Sequence, residues 1–365
     1  MNILYYGLSS NQGGIETYLY KIARNINRDK FKISYMDETG GNACFRKELE
    51  DLGAVFFDIT PRRISICKNK KDLETLFTHN HFDVLHFNCN SLSYIAPVVI
   101  AQKHGVKIVL HSRNSKANFF SSILHSINFF RINYWMKNDI YKVAVSDIAG
   151  QWLFGKEGKY EVINNGVEIE RFKYNEIIRL KKRKELNLET SNIYGNVGAF
   201  LEAKNHAFIL KIFKKILEKD TKAVLLLIGD GPLKSEMEAS AIKLGIANKV
   251  KFLGIRKDIP ELMMAMDCLV FPSLYEGFPN VILEAETTGL PIVMSHIITD
   301  EVVVLDSCKK LNINCTIEEW ADMCVKFATT KTNRQNGANN IEEAGFSVKS
   351  EITKIEKIYE KARIQ

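Results

Sequence analysis

The chain has 365 residues, 46% of them hydrophobic and 25% charged, and a net charge of +7. That length suits two domains, each able to bury its own core, and the composition is that of a globular protein. Seven cysteines, odd in number and scattered without a CxxC pair, argue against disulfides and structural zinc and for a reducing compartment.

Short apolar runs alternate with longer amphipathic ones, the rhythm of parallel βα units. The opening MNILYYGLSS has neither the basic n-region nor the cleavage site of a signal peptide, and reads as a first buried strand. Further strands are expected over 32–36, 55–58, 84–87, 107–111, 142–145 and 160–163, with helices over 15–27, 47–52, 70–78 and 95–103. The charged, loosely periodic stretch 173–190 reads as the leading helix of a second domain. Strands resume over 194–197, 223–228, 250–253, 268–271 and 291–294, with an amphipathic helix over 206–219. Residues 331–340 read as a polar loop and 349–362 as a final helix. No stretch approaches the roughly 20 apolar residues of a membrane span, so a cytoplasmic location is expected, at most touching a membrane. The inferred architecture is α/β, two doubly wound domains facing a cleft.

Residues 272–286 read PSLYEGFPNVILEAE. Gly277, Phe278, Pro279 and Asn280 form a turn. Pro279 suits the first position of the helix that follows, since its missing N–H costs nothing there. Glu276 then lies ahead of the helix and Glu284 about a turn inside it. Between them the helix N-terminus offers amide donors and a positive dipole end to an anion. A carboxylate accepts two hydrogen bonds from a vicinal diol. Carboxylate, anion site, carboxylate is a ruler for sugar, diphosphate and ribose, the outline of a nucleotide-sugar.

The same block resembles the Glu-x7-Glu signature of family 4 glycosyltransferases, which have the two-domain GT-B fold. The resemblance spans Gly13 to Glu301 and looks closest to the bacterial branch that builds exopolysaccharide, capsule or O-antigen units. It implies that Glu276 contacts the transferred sugar and Glu284 the ribose of the donor. It implies an acceptor-side domain over 1–172, a nucleotide-sugar domain over 173–348, and a helix over 349–365 that crosses back to the first.

Other motifs gain meaning from that likeness. Gly13 and Gly14, in NQGGIETY, open the first helix and let backbone approach a phosphate. Their spacing from Gly7 is not GxGxxG, which weakens a nicotinamide reading. They resemble the family's glycine loop facing the donor, although a purely structural turn is equally compatible with the residues alone. His111 ends the fifth strand, where ligands of open α/β sheets bind, and the family places a histidine there beside the donor sugar. VINNGVEIERF over 162–172 is read as a structural exit into the hinge. Lys204, in GNVGAFLEAKNH, matches a lysine that grips the donor diphosphate. The arginine the family usually carries after the preceding glycine is Ala199 here. Arg113, beside His111, is a candidate compensating cation. In IGDGPLKSEME, Asp230 is read as a helix cap, and Arg256 as a contact to base or phosphates.

No Asp-x-Asp pair is present, and Glu284 and Glu286 stand two apart on different helix faces. The resemblance implies a retaining glycosyltransferase, and without such a pair the expected enzyme needs no metal or cofactor. It would use a nucleotide-sugar, UDP on family grounds, and a lipid-linked or oligosaccharide acceptor in cell-surface polysaccharide synthesis. Diphosphate charge would be met by Lys204 and backbone amides. The catalytic candidates are His111, Lys204 and Glu276, with Glu276 not a nucleophile. A nucleotide-sugar 2-epimerase and a non-catalytic partner subunit are the competing readings. Residues 113–142 hold five cations against Asp139 alone, net +4, among seven aromatics. They form either a helix pair with a solvated basic edge or a peripheral patch on an anionic leaflet. No nucleic-acid motif accompanies the charge.

Overall fold

The computed structural model describes residues 1–11, 13–114, 119–136, 140–330 and 332–364, and the side chains of all of these but 119–122, 363 and 364. The chain forms two compact units, Met1–Asn165 with Val348–Gln365, and Gly166–Ser347.

The first unit is built on a seven-stranded parallel sheet in the order β3-β2-β1-β4-β5-β6-β7. Its strands are β1 (Asn2–Tyr6), β2 (Lys32–Asp37), β3 (Val55–Asp58), β4 (Val84–Cys89), β5 (Lys107–Ser112), β6 (Ile140–Ala144) and β7 (Glu161–Val162). β4 is buried along its whole length, as a central parallel strand covered on both faces must be. The strand order reverses between β1 and β4, which makes their carboxyl ends a topological switch point. The helix Val348–Ile364 belongs to this unit. Its Ile352, Ile355, Ile358, Tyr359 and Ala362 share a core with Tyr18, Leu19 and Ile22 of the helix Gly14–Asn25.

The second unit repeats the plan in six strands, β10-β9-β8-β11-β12-β13. These are β8 (Asn192–Val197), β9 (Ala223–Ile228), β10 (Val250–Gly254), β11 (Cys268–Phe271), β12 (Ile292–Ser295) and β13 (Cys308–Leu311). Its switch point lies between β8 and β11. The helix His206–Lys219 buries Ile209, Leu210, Ile212, Phe213 and Ile216 on the sheet, the apolar stripe its sequence displays.

Four expectations need correction. β13 was not expected, because its sequence CKKL carries two lysines; it is a half-exposed edge strand paired to β12 alone, where charge is tolerated and protective. Within the expected loop 331–340 a helix, Gly337–Glu343, begins. A Cβ on Gly337 would stand 2.3 Å from the Glu286 carbonyl oxygen, so the glycine that suggests a loop instead permits close packing. The unit boundary falls at Asn165, not 172. The short helix Ile169–Phe172 packs on helices of the second unit, Ile259–Ala265, Asn280–Thr287 and Gly337–Glu343. Pro279 is the residue before the helix rather than its first, with ψ at 90° and the helix running Asn280–Thr287.

Candidate active site

In the second unit, Gly198 follows β8 and leads through an exposed Ala199 into a single 3₁₀ turn, Glu202–Lys204. Asn205, in the left-handed region at φ 55°, then starts the helix His206–Lys219. This loop is tied to the one after β11: Leu274 N–H donates to Ala203 O at 2.7 Å, and Asn205 Nδ2 donates to Pro272 O at 3.3 Å. The two ties bring Lys204 against Glu276. Lys204 Nζ donates to Glu276 Oε1 at 2.6 Å, with both side chains less than one-fifth exposed. The ammonium also lies 5.2 Å from the Phe271 ring centroid. A cation and a carboxylate are thus held at the carboxyl ends of the two switch-point strands.

The helix Asn280–Thr287 starts four residues beyond Glu276, and Glu284 is its fifth residue, half-buried. Glu286 is fully buried and turned elsewhere. Its Oε1 accepts from Val304 N–H at 2.9 Å, Leu305 N–H at 2.8 Å and Cys308 Sγ at 3.0 Å. Burial raises the Glu286 carboxyl above the usual carboxylate range. Glu286 is therefore a loop anchor.

The loops after β8 and β9 interlock. A Cβ on Gly229, at φ 138°, would fall 2.1 Å from Gly198 O, so Gly229 is required by backbone contact. Asp230 is not a helix cap: its Oδ1 accepts from Gly231 N–H at 2.9 Å, and the helix Lys234–Lys243 starts after Leu233 without a side-chain cap. Arg256 grips Asp258 bidentately, at 2.8 and 2.7 Å, on the surface. That pairing holds the Asp258 carboxyl well below its usual range.

Three buried polar side chains with an unpartnered atom stand at or just past the ends of β8 and β11. They are Asn196 Oδ1, Ser273 Oγ and both ring nitrogens of His206. His206 stacks on Phe200 at 4.1 Å. Burial, with Lys204 nearby, pulls its pKa down to about 4, so the ring is neutral. Such orphans are costly in a closed core and mark polar sites open to a ligand or water. Asn196 and Ser273 carry no motif signal that sequence reading could have used.

In the first unit, Gly13 and Gly14 open the helix as expected, but a residue not anticipated occupies its N-terminus. Glu16 folds back so that Oε1 accepts from Ser9 N–H at 3.0 Å, and a Cβ on Gly13 would meet Glu16 Oε2 at 2.8 Å. Gly13 makes room for the chain's own carboxylate, which ties the first turn of the helix to the loop after β1. A Cβ on Gly14 would meet nothing within 4 Å. His111, the penultimate residue of β5, is fully buried with both ring nitrogens engaged, Nδ1 by His86 and Nε2 by Arg113. Arg113 also donates to Asn165 Oδ1 at 2.8 Å and lies 3.7 Å from the Tyr18 ring centroid.

The basic edge expected over 113–142 is smaller than its sequence suggests. Arg113 is turned inward, and Lys142, on β6, donates to Asn133 Oδ1 at 2.7 Å. Lys116, Lys137, Asp139 and the side chains of Phe119 and Phe120 lie outside the described residues. The apolar part is exposed: Ile123, Leu124, Ile127, Phe130, Tyr134 and Trp135 face outward from the helix Phe119–Phe130 and the π-helical turn Arg131–Trp135. Among the described residues no helix is long and apolar enough to cross a membrane, and no three His, Cys, Asp or Glu side chains gather as metal ligands.

Residues 178–343, nearly the whole second unit, match the family model described as Glycosyl transferases group 1. The chain is 27% identical over 365 residues, 96% of its length and 94% of the relative's, to a Bacillus subtilis (strain 168) protein assigned by name only as glycosyltransferase EpsF. It is 26% identical over 330 residues, 85% of this chain and 84% of the relative, to the Escherichia coli UDP-Gal:alpha-D-GlcNAc-diphosphoundecaprenol alpha-1,3-galactosyltransferase. Anabaena Alr3699/HepE, solved in complex with UDP-glucose, superposes with a TM-score of 0.80 at 21% identity, covering 99% of this chain and 100% of that one. Two parallel sheets and a group 1 glycosyltransferase domain over 178–343 make the chain a glycosyltransferase of the GT-B fold.

Proposed function

We propose that this glycosyltransferase moves a sugar from a UDP-sugar to a saccharide carried on a lipid diphosphate, in the synthesis of a bacterial cell-surface polysaccharide such as capsule, exopolysaccharide or O-antigen. Transfer retains the anomeric configuration and needs no metal. The observation that carries the reading is the Lys204–Glu276 pair at 2.6 Å at the ends of β8 and β11, one turn of chain ahead of Glu284. The names of the E. coli and Anabaena proteins, with UDP-galactose, a diphosphoundecaprenol acceptor and bound UDP-glucose, support the choice of substrates.

Glu284 takes the ribose hydroxyls and Glu276 the hydroxyls of the transferred sugar, each as a two-oxygen acceptor. Lys204 exchanges part of its bond to Glu276 for the donor diphosphate, and the amides at the start of the helix Asn280–Thr287 complete the anion site. The bond between C1 and the phosphate oxygen breaks with its electron pair going to the diphosphate. Preorganised donors stabilise most where that charge develops. The acceptor oxygen then bonds to C1 from the same face, and its proton passes to the departing phosphate oxygen. Neither glutamate forms a bond to the sugar. Arg113 serves as the second cation in place of the residue replaced by Ala199, and His111 contacts the donor sugar. Arg256 stays with Asp258 unless the base recruits it. The exposed apolar stripe from Ile123 to Trp135 seats the protein peripherally on the membrane that carries the acceptor.

A panel of UDP- and GDP-sugars, read as nucleotide release with and without a lipid-diphosphate saccharide, tests the proposal. The expected result is UDP release that depends on the acceptor lipid, with an α-linked product and no loss in EDTA. Epimerised sugar released without acceptor, or no release from any donor, would overturn it.

A further inference from the structure

Behind His111 runs a buried line of hydrogen bonds that no sequence motif announces. His111 Nδ1 lies 3.0 Å from His86 Nε2. His86 Nδ1 lies 2.5 Å from the hydroxyl of Tyr359, which lies 2.6 Å from the hydroxyl of Tyr5. All four side chains are at most 1% exposed. On its other side, His111 Nε2 meets Arg113 Nη1 at 3.2 Å.

Only one arrangement of protons satisfies the contacts of the two imidazoles. A guanidinium can only donate, so His111 Nε2 must be an acceptor, and the proton of the imidazole sits on Nδ1. His86 Nε2 must then accept that proton's hydrogen bond, which puts the His86 proton on Nδ1, pointing at the Tyr359 oxygen. Between Tyr359 and Tyr5 either hydroxyl can donate. Reversing either imidazole sets two donors face to face in a buried region, where an unmade bond is costly. Burial also keeps both rings neutral: it pulls His86 down to about 3 and His111 well below its ordinary value, with the Arg113 charge adding to both.

We propose that His86 and Tyr359 are positioning residues that hold His111 in its Nδ1–H form, so that its Nε2 lone pair is always the face presented at the carboxyl end of β5. Tyr359 stands on the helix Val348–Ile364, so the end of the chain helps to set the chemistry of a residue nearly 250 positions earlier in sequence. A lone pair there accepts a hydrogen bond from Arg113 or, when that bond is exchanged, from a sugar hydroxyl; an N–H could do neither. The functional consequence rests on the reading that His111 takes part in donor contact.

Histidine-selective 15N spectra of the full-length protein test the tautomer without any ligand. The expected wild-type spectrum shows His111 and His86 each protonated on Nδ1 and bare on Nε2. A His111 protonated on Nε2 would overturn the proposal by itself. His86→Leu removes the acceptor for His111 Nδ1–H, whereas His86→Gln supplies a carbonyl oxygen in a side chain of similar length. With UDP-glucose, UDP-galactose and UDP-N-acetylglucosamine as probes, the leucine variant should lose at least about tenfold in kcat and glutamine should restore most of it, with donor KM moving less than about twofold. Equal loss in both variants would mark His86 as structural and overturn the positioning role. A tautomer that shifts in His86→Leu while kcat stays unchanged would leave the hydrogen-bond line standing and remove His111 from the reaction.

Discussion

Lys204 Nζ and Glu276 Oε1 lie 2.6 Å apart, and they are joined across 72 residues only because the loops after β8 and β11 are stitched together. A partly exposed ion pair of this kind is worth about 0.2–1 kcal/mol to stability. A cation aimed at a developing oxyanion is worth far more to a rate, about 10²–10³-fold. Lys204→Ala should therefore lower kcat/KM for the donor by about two orders of magnitude while Tm falls by only about 3 °C or less. Differential scanning calorimetry beside a UDP-release assay separates the two. A large loss of Tm with little loss of rate would mean the pair is structural.

Glu284 and Glu286 should respond in opposite ways to the same chemical change. Glu284→Gln keeps the shape but weakens diol recognition, and it should raise the donor KM at least about tenfold, the worth of one charge-assisted hydrogen bond. Glu286→Gln should leave KM within about twofold, because a neutral oxygen can still accept from Val304 and Leu305. Glu286→Ala leaves those buried amides unpaired and should cost about 2–3 kcal/mol in urea unfolding. Isothermal titration with UDP against each variant makes the comparison direct.

Acid should weaken the second unit through His206. Its pKa in the folded protein is lowered to about 4, against about 6.5 in an unfolded chain. The unfolded state then binds the proton first on acidification. The stabilising contribution is complete above about pH 6.5, shrinks as pH falls towards 4, and is lost below; its size is of the order of 3 kcal/mol. Urea midpoints measured from pH 7 to 4.5 should fall, and fall less steeply in His206→Gln. Parallel slopes in the two proteins would locate the acid sensitivity elsewhere, with His86 the next group to test.

Arg334 is a structural anchor of the second unit. Its guanidinium donates to the carbonyls of Met263, Met264, Met266 and Thr288 and to Thr288 Oγ1, at 2.9–3.1 Å, and it is buried over the Tyr174 ring. Lysine has three donors without the planar fork and cannot replace it. Arg334→Lys should cost about 3 kcal/mol or more, which for a unit of this size lowers Tm by about 6–12 °C. Thermal unfolding decides it, and a shift below 3 °C would show that the carbonyls find other donors.

How far the chain can be read without its fold depends on the range of the physics involved. Apolar periodicity is local, so twelve of the thirteen strands among the described residues and the helices Gly14–Asn25, His206–Lys219 and Val348–Ile364 could be placed from residue spacing alone, whereas the helix Ile317–Thr329 was not expected. The exception, β13, breaks the rule because an edge strand need not be apolar. The turn at Gly277–Asn280, the helix that carries Glu284 and the lysine loop before His206 are likewise short-range features. Which partner a polar side chain finds is not local. Glu16 folding back to Ser9, Lys142 and Arg113 turning inward, Glu286 anchoring the 304–308 loop, and Tyr359 reaching His86 across 273 residues all follow from contacts that only folding creates. A side chain's type sets what bonds it can make; the packed interior, by removing water as the alternative partner, decides which of them it does make.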